Sequence, residues 1–193
     1  MAASPRVPDG QGEDPGWRRA VFAQLFPIGS RKTQRQLDGL IVTRVLFVAL
    51  MQAALAGGLI LVLITRHLGS FDTLPLLAVL VLGSAGVVVA KRTQSRNLDV
   101  TDATTLGASY RSRFFAGFIA NEVPLLVALV MGMISGELWP YLVDLPFFIA
   151  GMFLIAPSRP NIERDQGILR EGPSKLSLYA ALKAPPAPPK KKG

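Results

Sequence analysis

The chain has 193 residues, half of them hydrophobic, with 21 Lys and Arg against 13 Asp and Glu, a net charge of +8 and a mean hydropathy of +0.36. Without cysteine, disulfides, thiolate catalysis and cysteine metal sites are excluded; a single histidine, His67, makes no histidine-built centre, and no cofactor is expected. This is one domain's length of chain, and its apolar residues gather in four blocks instead of spreading as they would in a soluble core.

Residues 1–16, MAASPRVPDGQGEDPG, lack the apolar content to fold and read as a disordered arm. Residues 17–44 read as a basic interfacial segment. Trp17, Val21, Leu25 and Phe26 share one face at helical spacing, a short helix for the headgroup region with Arg18 and Arg19 toward phosphates, closed by Pro27 and Gly29. Arg31, Lys32, Arg35 and Arg44 then lead into the first apolar block. No apolar run followed by a cleavage site occurs in the first forty residues, so the first span is expected to serve as its own insertion signal.

A hydrocarbon core about 30 Å thick needs about 20 helical residues to cross it. The blocks are 45–64, 74–90, 114–134 and about 138–156. The first and third meet that length outright; the second borrows a flank, and the fourth reaches it by including Asp144 and Pro146. The fold class expected is all-α: a polytopic four-transmembrane-helix bundle of two hairpins over residues 45–157. Between the hairpins, Asp102 is placed to cap a helix opening ATTLGASYRSRFF, which would extend the third span beneath the membrane. Trp139 and Tyr141 fit an interfacial aromatic belt, and Pro157 and Pro160 stop the fourth helix. Residues 158–193 read as a basic, Pro-rich solubilising tail with one amphipathic turn, SKLSLYAALKA.

Twenty of the 21 basic residues fall in the N-terminal arm, the middle loop and the tail, and one, Arg66, in the first hairpin connection. This asymmetry is expected to put both termini in the cytoplasm, and Pro richness, absent cysteine and high Arg usage suggest a multi-pass protein of a bacterial inner membrane. Anionic lipid headgroups are the expected partners of the basic segments. Nucleic acid is not, since the tail interleaves no aromatic residue beyond Tyr179. Small residues at Ala53/Gly57, Ala54/Gly58, Gly83/Gly86 and Gly132/Gly136 allow close helix approach, within the chain in preference to between copies.

The third block contains FIANEVPLLVALV, residues 118–130, with an acid at its centre. Measured by helical rise from the edges of their blocks, Glu122 lies about 12 Å deep, Gln52 about 10 Å and Ser84 about 9 Å. Glu122, Asn121, Gln52 and Ser84 therefore form a candidate ion or proton site at one depth; Asp144, about 18 Å above Ala156, matches it less well. An ionised carboxylate in hydrocarbon costs at least about 2.5 kcal/mol. Pro124 withdraws a donor from the Ala120 carbonyl, adding a free oxygen beside the acid. The structural alternative is a protonated Glu122 bonded to Gln52 or Ser84, contributing about 0.6 kcal/mol per contact.

The stretch RSRFFAGFIANEVPLLVALVMGMISG, residues 111–136, resembles the ion-carrying outer helix of the rotor-ring proteolipid of rotary ATP synthases. The resemblance implies that Glu122 stands where that family has its ion-binding carboxylate. It extends to no other helix: LGSAGVVVA lacks the alternate glycines of the proteolipid's inner helix, and two further helices have no counterpart. The overall plan is similar to small four-helix bacterial membrane proteins that share such a third helix. The function expected is that of a non-enzymatic integral membrane protein, an accessory or subunit of a membrane complex, with a membrane-protein partner or a second copy as companion. The alternative is proton or cation handling through Glu122. No Ser/His/Asp set is available for catalysis, and GSAG lacks the strand and helix context of a phosphate loop.

Overall fold

The computed structural model describes residues 16–25, 38–65, 67–70, 72–172 and 176–183. Most of the arm, the stretch 26–37, Arg66 and the Pro-rich end 184–193 lie outside the described residues, and with them the expectations placed there. The described residues form α1 (Gly16–Leu25), α2 (Gly39–Thr65), α3 (Thr73–Gln94), α4 (Ala103–Ser135), α5 (Trp139–Ile155), α6 (Arg159–Glu171) and α7 (Leu178–Lys183), with no strand among them.

Helices α2, α3 and α4 are each long and apolar enough to cross a membrane, at 27, 22 and 33 residues. α5 has 17 residues and passes the same test only together with α6, from which it is bent by 49°. Their outward faces are apolar: Leu63, Leu74, Ile134 and Phe153 are each more than two-thirds exposed. Such surface is out of place in water but is what a helix presents to acyl chains.

The inward faces are narrow stripes at alternating three- and four-residue spacing. On α3 the stripe is Val79, Gly83, Gly86, Ala90 and Thr93. On α5 it is Tyr141, Asp144, Phe148, Gly151 and Ile155. Glycines in these stripes bring α3, α4 and α5 into backbone contact, because a side chain at Gly86 would meet the Ala120 carbonyl and the Pro124 ring, both at 3.0 Å. α2 joins the triple more loosely, through Ala54, Gly58 and Leu61, with the Tyr141 ring filling the space that a side chain at Gly58 would need.

α4 starts where expected: Asp102 Oδ1 accepts from the Thr105 N–H at 2.8 Å. It ends at Gly136, left-handed at φ 71°, whose N–H bonds the Gly132 carbonyl. The 67–70 connection is bound to the turn into α5, with Leu138 N–H donating to His67 O at 3.1 Å and Trp139 N–H to Leu68 O at 3.2 Å. Trp139 and Tyr141 do not form an outward belt: both are buried, at 2% and 3% exposure. The indole N–H donates to Glu137 at 2.7 Å beneath the 67–70 loop, and Tyr141 points into the bundle.

α5 stops before Pro157, and the chain resumes as α6 with Pro160 in its first turn. Asn161 donates to the carbonyls of Phe153, Leu154 and Ala156, three of the groups that the break would leave open. Past the break lies a second apolar core. Leu40 of α2, Leu106 and Tyr110 of α4, Ile162 and Leu169 of α6, and Leu178 and Leu182 of α7 meet there. The Gln166 side chain holds the approach to α7, accepting from Leu178 N–H at 2.6 Å and donating to Leu176 O at 3.2 Å. Residues 159–171 and 178–183 are thus helical and docked. Arg44 is wholly buried at the same end, donating from Nε to the Pro157 carbonyl at 3.0 Å and lying 5.2 Å over the Trp17 ring, which fixes α1 against α2.

Candidate functional site

The shared depth of four polar residues does not become one cluster, because their directions around the helix axes differ. Gln52 and Ser84 lie off the inward stripes and are exposed. Asn121 lies on the α4 stripe, 1% exposed, and donates from Nδ2 to the Phe148 carbonyl of α5 at 2.6 Å. Gly151 leaves the room for it: a side chain there would overlap the Asn121 amide. Glu122, the next residue, stands beside the stripe, half-buried, with Oε2 lacking a hydrogen-bond partner among the described residues.

Asp144 is a carboxyl that the fold encloses between α3 and α5. It is 1% exposed, and neither oxygen has a hydrogen-bond partner among the described residues. Its Oδ1 occupies the place that a side chain at Gly83 would take, and the Phe147 ring also closes on that place, at 2.9 Å. α4 and α5 run antiparallel with Asn121 opposite Phe148 and Gly151, so Asp144, four residues before Phe148, lies about one helical turn nearer the 136–138 turn than Asn121.

Tyr141 adds a group that depth arithmetic did not select. It shares a face with Asp144 at i, i+3 on α5. Its hydroxyl donates to the Ala54 carbonyl of α2. The site is therefore a seam: Asn121 and Glu122 from α4, Asp144 and Tyr141 from α5, walled by Gly83 and Gly86 of α3. Glu122 and Asp144 make no hydrogen bond to each other. Among the described residues no group of three His, Cys, Asp or Glu side chains is disposed to hold a metal ion. His67 is exposed in the 67–70 connection and lies on none of the helices of this seam.

The signal for Asp144 and Tyr141 was present in the sequence. Tyr141, Asp144, Phe148, Gly151 and Ile155 recur at spacings of three and four, which marks one face of a helix and puts the acid inside it. Comparison with protein-family models, with curated proteins and with solved structures finds no match to the chain.

Proposed function

We propose that this chain is a non-enzymatic, multi-pass protein of the inner membrane that handles a proton, or a small monovalent cation, along the α4–α5 seam as part of a larger membrane assembly. In this reading α5 supplies the fourth crossing, and both ends, α6 and the second apolar core lie in the cytoplasm. The distribution of basic residues supports that orientation.

The observation that carries the functional reading is Asp144, enclosed at 1% exposure with both oxygens unpartnered among the described residues. An acid that serves as structural glue accepts hydrogen bonds across a helix interface, as Asn121 donates one. A buried polar group left unsatisfied costs about 1–3 kcal/mol, which a purely structural position has no reason to retain. Intramembrane acids of this kind mark proton and ion pathways. Glu122, half-buried, offers the more accessible carboxyl. The likeness of residues 111–136 to an ion-carrying helix agrees with Glu122 in that role but does not include Asp144.

The test uses inverted membrane vesicles from cells that make the chain, so that any companion subunit is kept. An imposed potassium diffusion potential should drive proton or sodium movement that Asp144→Asn and Glu122→Gln each abolish. Equal rates in wild type and both variants would overturn the proposal. A role in assembly alone is favoured by one other feature: α6 presents Arg159, Glu163, Arg164 and Arg170, all exposed, as a charged platform. That reading predicts a constant companion chain on purification in mild detergent, with vesicle currents unaffected by either acid.

A further inference from the structure

A second candidate site lies at the other end of the bundle, where the α3–α4 connection faces α6. It is a cavity of about 320 Å³. Its donors include Arg96, Asn97 and Arg113, and its apolar wall includes Leu98, Ile168 and Leu169. That volume is at the low end of the range for small-molecule sites, about 300–1,000 Å³, the size of a headgroup and not of a whole lipid.

Arg113 is fixed before any ligand arrives. Its Nη1 donates to the Gln94 carbonyl at 3.0 Å and the Arg96 carbonyl at 3.3 Å, and its Nη2 is paired with Asp165. The side chain is 7% exposed, and its Nε has no partner among the described residues. The carboxylate that lines the cavity, Asp165, is shared between Arg113 and Arg164, leaving Arg96 as cationic surface at the rim. Lys91 and Arg92, in the last turn of α3, add positive charge close by.

Depth selects the source of the ligand. Gln94 lies four residues past Ala90, about 6 Å beyond the apolar part of α3. Headgroups occupy about 5–8 Å on each side of a bilayer, so the cavity opens at their level. We infer that this cavity binds the phosphate of an anionic phospholipid of the inner leaflet. Arg96 at the rim meets the oxyanion, with the paired Arg113 guanidinium behind it, and Leu98 and Ile168 line its glycerol end. The inference rests on the membrane-spanning reading above but not on the chemistry assigned to the α4–α5 seam.

The experiment is native mass spectrometry of the full chain released from detergent, with added phosphatidylglycerol, phosphatidylcholine or inorganic phosphate. Wild type should retain phosphatidylglycerol in preference to phosphatidylcholine. Arg96→Gln should weaken that binding about fivefold or more, the worth of about one basic residue at an anionic surface. Ile168→Trp, which fills the cavity without changing charge, should remove it. Both residues are exposed, so both variants should unfold at the wild-type temperature in lipid-free detergent. Unchanged phosphatidylglycerol binding in Ile168→Trp would overturn the inference, as would equal retention of the two lipids. Binding of inorganic phosphate with no lipid preference would overturn the lipid source. A chain that stays soluble and monodisperse without detergent would instead refute the membrane reading beneath it.

Discussion

Breaking the Arg113–Asp165 pair should uncouple α6 from the base of the bundle. Both side chains are buried, at 7% and 2% exposure. Removing one partner of a buried pair costs about 3–5 kcal/mol, because it leaves the other charge uncompensated. In Asp165→Ala the guanidinium keeps its bonds to the Gln94 and Arg96 carbonyls, so the loss belongs at the low end, about 3 kcal/mol. The Arg164 contact adds little, since that side chain is 47% exposed. Replacing both partners by Met and Leu, Arg113→Met with Asp165→Leu, removes the pair and its desolvation together, which is neutral or favourable by about 1–4 kcal/mol. Against that stands the loss of a donor to two carbonyls, at about 1 kcal/mol each. The double variant should therefore lie near wild type, and since Arg113→Met and Asp165→Leu alone should each cost at least about 3 kcal/mol, the cycle should return a coupling of about 6 kcal/mol. The assay is reversible unfolding in mixed micelles, followed by circular dichroism. Single variants that each cost under about 1 kcal/mol, with additive effects, would match a solvated pair and refute the reasoning.

Two further predictions concern the seam and the α4 cap. Gly83→Leu should separate α3 from α5 and displace Asp144, costing at least the about 1–3 kcal/mol of an overpacked core, while Tyr141→Phe should cost only about 1 kcal/mol for the lost bond to Ala54. Unfolding in micelles separates the two, and equal costs would show that the Gly83 contact is not tight. At the start of α4, the Thr105 hydroxyl and N–H hold the Asp102 carboxyl below the ordinary carboxylate range, the backbone bond contributing most. Because the folded value is the lower one, this support is complete above the ordinary value of 3.8 and is lost as pH falls through the folded value. The stability difference between wild type and Asp102→Ala should be constant near neutrality and shrink only in strong acid; a difference that changes between pH 5 and 8 would contradict the cap.

Much of this fold was legible because lipid leaves few options. Apolar length located α2, α3 and α4, and the capping residue Asp102 located the start of α4 well below Phe114. Gly83 and Gly86 were read as packing glycines and do pack. Two physical gaps account for the differences. Helical rise gives depth but not direction, so Gln52 and Ser84 were grouped with Glu122 although they face outward, while Asp144 was set aside for its depth although its face points inward. The second gap is tertiary: the segment after Pro157 looks like a polar tail because its few apolar residues are spread thinly. Ile162, Leu169, Leu178 and Leu182 gain meaning only against Leu40, Leu106 and Tyr110, which are distant in sequence. Trp139 and Tyr141 were assigned to a belt by residue type, but Glu137 and the Ala54 carbonyl draw their polar ends inward.

The central claim is that the acids of the α4–α5 seam sit in the apolar interior and exchange a small cation. Carbodiimide labelling read by peptide mass spectrometry tests it most directly. The account predicts that an apolar carbodiimide modifies Glu122 in membranes, that labelling declines with rising pH and in the presence of a protecting cation, and that a water-soluble carbodiimide leaves both Glu122 and Asp144 untouched. Equal labelling by the water-soluble reagent would place the seam in contact with bulk water and contradict the account, as would labelling of Glu122 that no cation or pH changes.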